Sequence, residues 1–131
     1  MNSQNKILIV DDDLGYIKSI RAVLESKEEY TVDTASDRES AMEKIKKMRP
    51  DLILLDIMMG RLDDGFTICY RLKHDPELRK IPILVISAVT EKTGLKFSPA
   101  TDGEHFEADD HIEKPVEPSD LLERIEKLLK K

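Results

Sequence analysis

The sequence predicts an α/β fold, a parallel β-sheet covered by helices on both faces. Three observations predict it. Short runs of apolar, mostly branched residues alternate along the chain with segments whose apolar positions recur at helical spacing. The strand-like runs are apolar throughout instead of alternating, so both of their faces must be buried, as they are in parallel sheets. The connections are short, and 131 residues with 40% hydrophobic side chains give room for one such domain and a core that needs no staple.

Lys6–Val10 (KILIV) is the first strand, closed by Asp11. From Asp13 to Ser26, Ile17, Ile20 and Leu24 mark one face of a helix, with Asp13 expected as its N-cap. Tyr30–Thr34 is a short, partly alternating strand. Ser36-Asp37-Arg38-Glu39 reads as a capping box, the Ser36 hydroxyl and the Glu39 carboxylate each accepting a backbone N–H. Ala41, Ile45 and Met48 continue that helix to Pro50, which ends it. Asp51–Asp56 (DLILLD) is the third strand, followed by a loop with Gly60 and Gly65 and a helix from about Phe66 to Lys73. Ile81–Ser87 (IPILVIS) is the fourth strand, with Pro82 tolerable near its beginning, and Asp109–Ile112 is a weaker fifth. Between them, Gly94, Pro99 and Gly103 interrupt any helical period over Thr90–Ala108, so the fourth helix of the chain is expected to be short or irregular. Pro118 opens the last helix, where Leu121, Leu122, Ile125, Leu128 and Leu129 form a wide apolar stripe.

Composition excludes several classes of function. Lys and Arg total 21 against 27 Asp and Glu, a net charge of −6, so direct nucleic-acid binding is disfavoured. The longest apolar runs, such as Leu52–Leu55, are far too short to cross a bilayer. The polar start, Met1–Lys6, leads straight into a strand and does not read as a signal peptide. Cys69 is the single cysteine, which forbids an intrachain disulfide and suits the cytoplasm; on the third helix it reads as a packing residue.

In an open parallel sheet, ligands bind beyond the carboxyl ends of the strands. Those ends carry Asp11-Asp12-Asp13, then Asp56, then Ser87, and finally Lys114-Pro115. Each group has an ordinary structural use. Acids before a helix serve as caps, a serine can satisfy a carbonyl, and a lysine can be a solvated charge. Asp56 is harder to treat this way, because Leu54, Leu55, Ile57 and Met58 flank it and a carboxylate in such a setting is costly unless paired or metal-bound. Two carboxylates at ~4 Å repel by about 4 kcal/mol at an effective dielectric of roughly 20. A hard divalent cation relieves that repulsion, and Mg²⁺ prefers a few carboxylates together with water and phosphate oxygens. A carboxylate nucleophile, such a cation, a lysine and a hydroxyl together suit phosphoryl transfer. The constellation proposes an aspartyl-phosphate site.

With these residues the sequence resembles the receiver domain of two-component response regulators, the CheY-like superfamily. The resemblance covers nearly the whole chain through ILIVDDD (Ile7–Asp13), DLILLDIMM (Asp51–Met59), ILVISA (Ile83–Ala88) and ADDHIEKPV (Ala108–Val116). It implies a flavodoxin-like, doubly wound, five-stranded sheet of order 2-1-3-4-5. It also implies that Asp56 is the phosphoacceptor for a histidine kinase or phosphotransfer protein. Asp11, Asp12, Asp56 and the backbone carbonyl of Met58 would hold Mg²⁺. Lys114 would contact the phosphoryl oxygens, Ser87 would bond the phosphate and report it, and Pro115 matches the family's lysine–proline pair. The expected downstream partner is a protein, with no direct contact to nucleic acid or membrane.

Three departures from the family pattern stand out. Gly60 occupies a usual proline position, and Asp63-Asp64-Gly65 makes that loop one residue longer. The switch aromatic of the family falls on His111, whose protonated form is expected to favour the phosphorylated arrangement. Thr90–Ala108, with Phe97, His105 and Phe106, replaces a surface helix; the two phenylalanines read as core plugs or partner anchors, and the spacing of His105 and His111 fits no standard metal pattern. The chain reads as a single receiver domain over residues 1–131 with no output domain, a phosphorylation-switched module and not an enzyme in the usual sense. Two other functions remain open on the residues. A Mg²⁺-dependent phosphohydrolase with an aspartyl nucleophile would need a second acid where Met58 stands, and an interaction module indifferent to phosphorylation would keep the acids as relics.

Overall fold

The computed structural model describes residues 5–56, 64–87, 109–113 and 116–130, without the side chains of residues 64–67, 69, 87 and 113. Five strands, β1 (Asn5–Val10), β2 (Tyr30–Ala35), β3 (Leu52–Asp56), β4 (Ile83–Ser87) and β5 (Asp110–Glu113), form one parallel sheet in the order β2-β1-β3-β4-β5. The helices α1 (Leu14–Glu25), α2 (Arg38–Met48), α3 (Asp64–Lys73) and the C-terminal α4 (Pro118–Leu129) complete the described elements. This is the flavodoxin-like order that the sequence leads one to expect. The irregular segment expected at Thr90–Ala108, and with it Phe97, His105 and Phe106, lies outside the described residues, as does the lengthened loop at Gly60–Asp63.

Period-two geometry explains why the central strands are apolar throughout. Ile7, Ile9, Leu52, Leu54, Leu84 and Ile86 pack on one face beneath Ile17, Ile20 and Leu24 of α1 and Leu121, Ile125 and Leu128 of α4. Their neighbours Leu8, Val10, Ile53, Leu55, Ile83 and Val85 face the other way, against Ala41 and Ile45 of α2 and Ile68 and Leu72 of α3. Every residue of these runs is therefore in a core, and a polar residue anywhere within them would be buried.

The helix ends show where local sequence reasoning holds and where it slips. Asp13 caps α1 as expected, its carboxylate accepting the Tyr16 N–H at 3.1 Å. The capping box at Ser36 does not form. Asp37 is the cap of α2, with extended backbone (φ −149°, ψ 170°) and its Oδ1 accepting the Ser40 N–H at 2.7 Å. An ionised carboxylate is the stronger acceptor for an N–H and is further favoured by the positive end of the helix, so the helix begins one residue later than a serine cap would set it. At the other end, Arg49 adopts a left-handed conformation (φ 48°, ψ 68°) and its N–H closes on Ile45 O at 3.0 Å. Pro50 keeps the preceding residue out of the helical region, which stops α2 at Met48.

The entry to β4 is held by one cation. Lys73 Nζ donates to Arg79 O (3.1 Å), Ile81 O (3.1 Å) and Asp109 Oδ2 (2.7 Å), and the same carboxylate oxygen accepts the Ile83 N–H at 2.8 Å. Ile81 is thus consumed by the clamp and Pro82 has no N–H to give, so the strand starts at Ile83, two residues later than the apolar run suggests. β5 starts at Asp110, just after Asp109, whose N–H donates to Ile83 O at 2.9 Å while its carboxylate accepts the Ile83 N–H.

Two stability measurements follow from these contacts. Asp37→Ala should lower the unfolding free energy by about 1 kcal/mol in urea titration while Ser36→Ala stays near neutral; the reverse ranking would restore the serine cap. Lys73→Met should cost about 2 kcal/mol in the same assay, because two carbonyls and a carboxylate lose a charged donor at once.

Candidate functional site

β1 and β3 run side by side with Val10 opposite Leu55, so the next residues, Asp11 and Asp56, reach the carboxyl edge of the sheet abreast. Asp11 is still tied to the sheet there, since its N–H donates to Ala35 O at 3.0 Å and prolongs the β1–β2 ladder by one step. The Asp13 N–H then donates to Asp11 Oδ1 at 2.9 Å, which fixes the direction of that carboxyl. The three consecutive acids consequently do different things. Asp11 is buried and oriented, Asp13 is spent as a helix cap, and Asp12 between them is exposed.

One carboxylate oxygen each from Asp11, Asp12 and Asp56 lies within 4.8 Å of the others. Asp11 is 2% exposed and Asp56 5%, and they are the only buried charged residues among those described. Coulomb repulsion inside such a group amounts to a few kcal/mol per pair at ~4–5 Å and an effective dielectric of about 20. The donors are all hard oxygens, which suit Mg²⁺ or Ca²⁺ and not a thiolate- or imidazole-seeking metal. Octahedral Mg²⁺ at about 2.1 Å from each ligand spaces opposite oxygens by about 4.2 Å, so a 4.8 Å cluster closes on the ion with small side-chain rotations. The residues present fit Mg²⁺.

Tyr16 belongs to this neighbourhood although nothing in the sequence reading singles it out. It stands in the first turn of α1, and its hydroxyl oxygen is buried. Burial, then the charge of Asp11, then that of Asp56, push the phenol up to about 12, so it remains a neutral O–H beside the acids at every physiological pH. Its place in the first turn of the helix that follows the acids is the signal that could have found it.

Of the other residues expected at the site, the backbone of Ser87 ends β4 one residue beyond Ile86, which is opposite Asp56. Ser87 is in turn opposite Glu113, after which Lys114 follows directly in the chain. The side chain of Ser87, Lys114, Pro115 and the Met58 carbonyl lie outside the described residues. His111 is partly exposed on β5 opposite Val85, with its N–H donating to Asp110 Oδ1 at 2.8 Å and its carbonyl accepting from Arg124 at 3.1 Å.

A family model for the response regulator receiver domain matches residues 7–126. Response regulator PleD of Caulobacter vibrioides is 37% identical over 123 residues, which is 94% of this chain and 26% of PleD. Response regulator MprA of Mycobacterium ulcerans is 38% identical over 129 residues, 96% of this chain and 50% of MprA. Among solved structures, the signal receiver domain of a signal transduction histidine kinase from Syntrophus aciditrophicus superposes with a TM-score of 0.81 at 28% identity, covering 96% of this chain and 90% of that one. The chain spans half or less of the length of these two curated relatives. With the family model spanning almost the entire sequence and the sheet order and acid cluster in agreement, this chain belongs to the response regulator receiver domain family.

Proposed function

We propose that Asp56 is the phosphoacceptor of this receiver domain and that its phosphorylation by a histidine kinase or phosphotransfer protein switches contacts with a downstream protein. One observation carries the reading: two carboxylates, almost wholly buried, stand with an exposed third at the carboxyl ends of adjacent central strands. Buried carboxylates gathered at one edge repel one another, and a divalent cation together with a phosphoryl group would relieve that repulsion.

In the proposed step a carboxylate oxygen of Asp56 attacks the phosphorus of a phosphohistidine. The P–N bond breaks, its electron pair leaves with the imidazole, which takes up a proton, and an acyl P–O bond forms on Asp56. Asp11 and Asp12, with Asp56 and the carbonyl of Met58, would hold Mg²⁺, which supplies positive charge against the phosphoryl oxygens. Asp11 is kept in place for this by the Asp13 N–H, and Asp12 remains accessible from solvent. Tyr16 keeps its proton and adds no further charge to the cluster. By the family pattern, the Lys114 ammonium contacts the phosphoryl oxygens and the Ser87 hydroxyl bonds them once the group is attached. The sheet register supports both, since Asp56, Ser87 and Lys114 fall at or next to neighbouring strand ends. His111 joins Ser87 as the proposed switch. A setting in the cytoplasm agrees with a kinase partner.

Intact-mass analysis after incubation with acetyl phosphate and Mg²⁺ tests the site. One phosphoryl group is expected on the wild type, none on Asp56→Asn, and much less on Asp12→Asn or when a chelator is present. Catalytic turnover of an exogenous phosphomonoester would instead favour a phosphohydrolase, and an unlabelled wild type would favour a module indifferent to phosphorylation. For His111, the change in β5 amide exchange on phosphorylation should vary between about pH 6 and 8, and a change constant over that range removes it from the switch.

A further inference from the structure

Among the described residues β2 and β5 are the edge strands of the sheet, and a free edge presents backbone donors and acceptors to any strand that approaches. The ladder fixes which groups face out. The carbonyls of Glu29 and Ala35 accept from Asn5 and Asp11, so odd-numbered residues of β2 turn toward β1 and Thr34 turns outward. On the far side, Pro82 O accepts from Ile53, so even-numbered residues of β4 turn toward β3 and Val85 toward β5. Val85 is opposite His111 and in a parallel ladder bonds the residues on either side of it, which leaves His111 turned outward.

Both outward residues are held by the same arrangement. On β2, Asp33 Oδ1 accepts the Thr34 N–H at 2.8 Å, and Lys44 Nζ from α2 donates both to that oxygen (3.0 Å) and to Thr34 O (2.5 Å). On β5, Asp110 Oδ1 accepts the His111 N–H at 2.8 Å, and Arg124 Nη1 from α4 donates both to that oxygen (3.0 Å) and to His111 O (3.1 Å). An aspartate and a helix cation thus occupy both the donor and the acceptor of one outward residue on each edge. Arg21 of α1 adds a further contact on β2, to a second outward carbonyl, Val32 O, at 3.5 Å.

We propose that these two clips close the edges of the sheet against strand pairing with a second copy of this chain. Ordinary surface ion pairs would not repeat this geometry with different residues, from different helices, at opposite ends of one sheet. The pairs Lys47–Glu43 and Lys127–Glu123, on the same two helices, link side chain to side chain along the helix itself. The occupant excluded is a second copy because every copy carries both edges, so a matching strand is always at hand wherever the protein is made.

The test opens the edges one at a time with methionine, which keeps the stem and removes the donor. Lys44→Met with Arg21→Met opens β2, Arg124→Met opens β5, and the triple variant opens both. Sedimentation equilibrium over a concentration series, with amide exchange at Thr34 and His111, reads the result against the wild type. Each single-edge variant should form a closed dimer in which the amide at the opened edge exchanges more slowly. The triple variant should form open-ended assemblies whose mass keeps rising with concentration, and Lys44→Arg, which retains a donor, should behave as the wild type. The proposal is overturned if the variants keep the wild-type mass throughout, or if they associate without slowing those amides. It is equally overturned if they lose their cooperative thermal transition, since the clips would then hold the fold and not the edge.

Discussion

The register between β1 and β3 is the constraint on which the site depends. Val10 opposite Leu55 brings Asp11 and Asp56 to the same edge at the same height. A slip of one residue would exchange the two faces of a strand and carry one acid out of reach of the other. What prevents the slip is the pair of cores, because Ile7, Ile9, Leu52 and Leu54 are fitted to α1 and α4 while Leu8, Val10, Ile53 and Leu55 are fitted to α2 and α3. Each such side chain, fully buried, contributes about 1.5–3 kcal/mol. The mutual repulsion of a carboxylate pair, about 4 kcal/mol at an effective dielectric of roughly 20, is therefore offset by two or three of them. A sheet buried on both faces can carry buried acids at its edge without losing its fold.

The three aspartates after β1 show how position, not residue type, assigns a role. All three are chemically identical, yet the backbone sorts them. The Asp13 carboxylate meets the free N–H groups of α1, the Asp11 carboxylate meets the N–H of Asp13, and Asp12 points between them into solvent. The cap orients the helix, the helix N-terminus orients the buried acid, and the remaining acid is left accessible. Tyr16, in the first turn of α1, feels the charges of Asp11 and Asp56 and keeps its proton beside them.

Much of this was legible before any coordinates, and the reason is that it is local. Continuous branched runs identify the strands, and an acid in an apolar context marks Asp56 as a buried carboxylate. Legibility fails where two adjacent residues could do one job, as with Ser36 and Asp37, where only the backbone angles decide. It fails also where partners are far apart in the chain. Lys73 and Asp109 meet across 36 positions, and a lysine near the end of a helix reads in sequence as a solvated charge. Tyr16 is not legible in sequence because a tyrosine next to Ile17 reads as one more apolar position on α1, and only the field of Asp11 and Asp56 distinguishes it.

The placement of the edge clips also bears on how β5 can move. Arg124 bonds Asp110 and His111 on the strand and, through its Nε at 3.2 Å, Asp120 on its own helix. Hydrogen bonds to charged groups contribute about 1.5–3 kcal/mol each when well made, and less where, as here, the groups are about a third exposed. A displacement of β5 relative to α4 must therefore break two of them together, whereas a displacement of the pair as one body breaks neither. Because Lys114 follows β5 without an intervening element, any pull on that lysine acts first on the strand that Arg124 holds to α4. The Arg124 contacts that join β5 to α4 are the same ones that form the proposed clip on that edge.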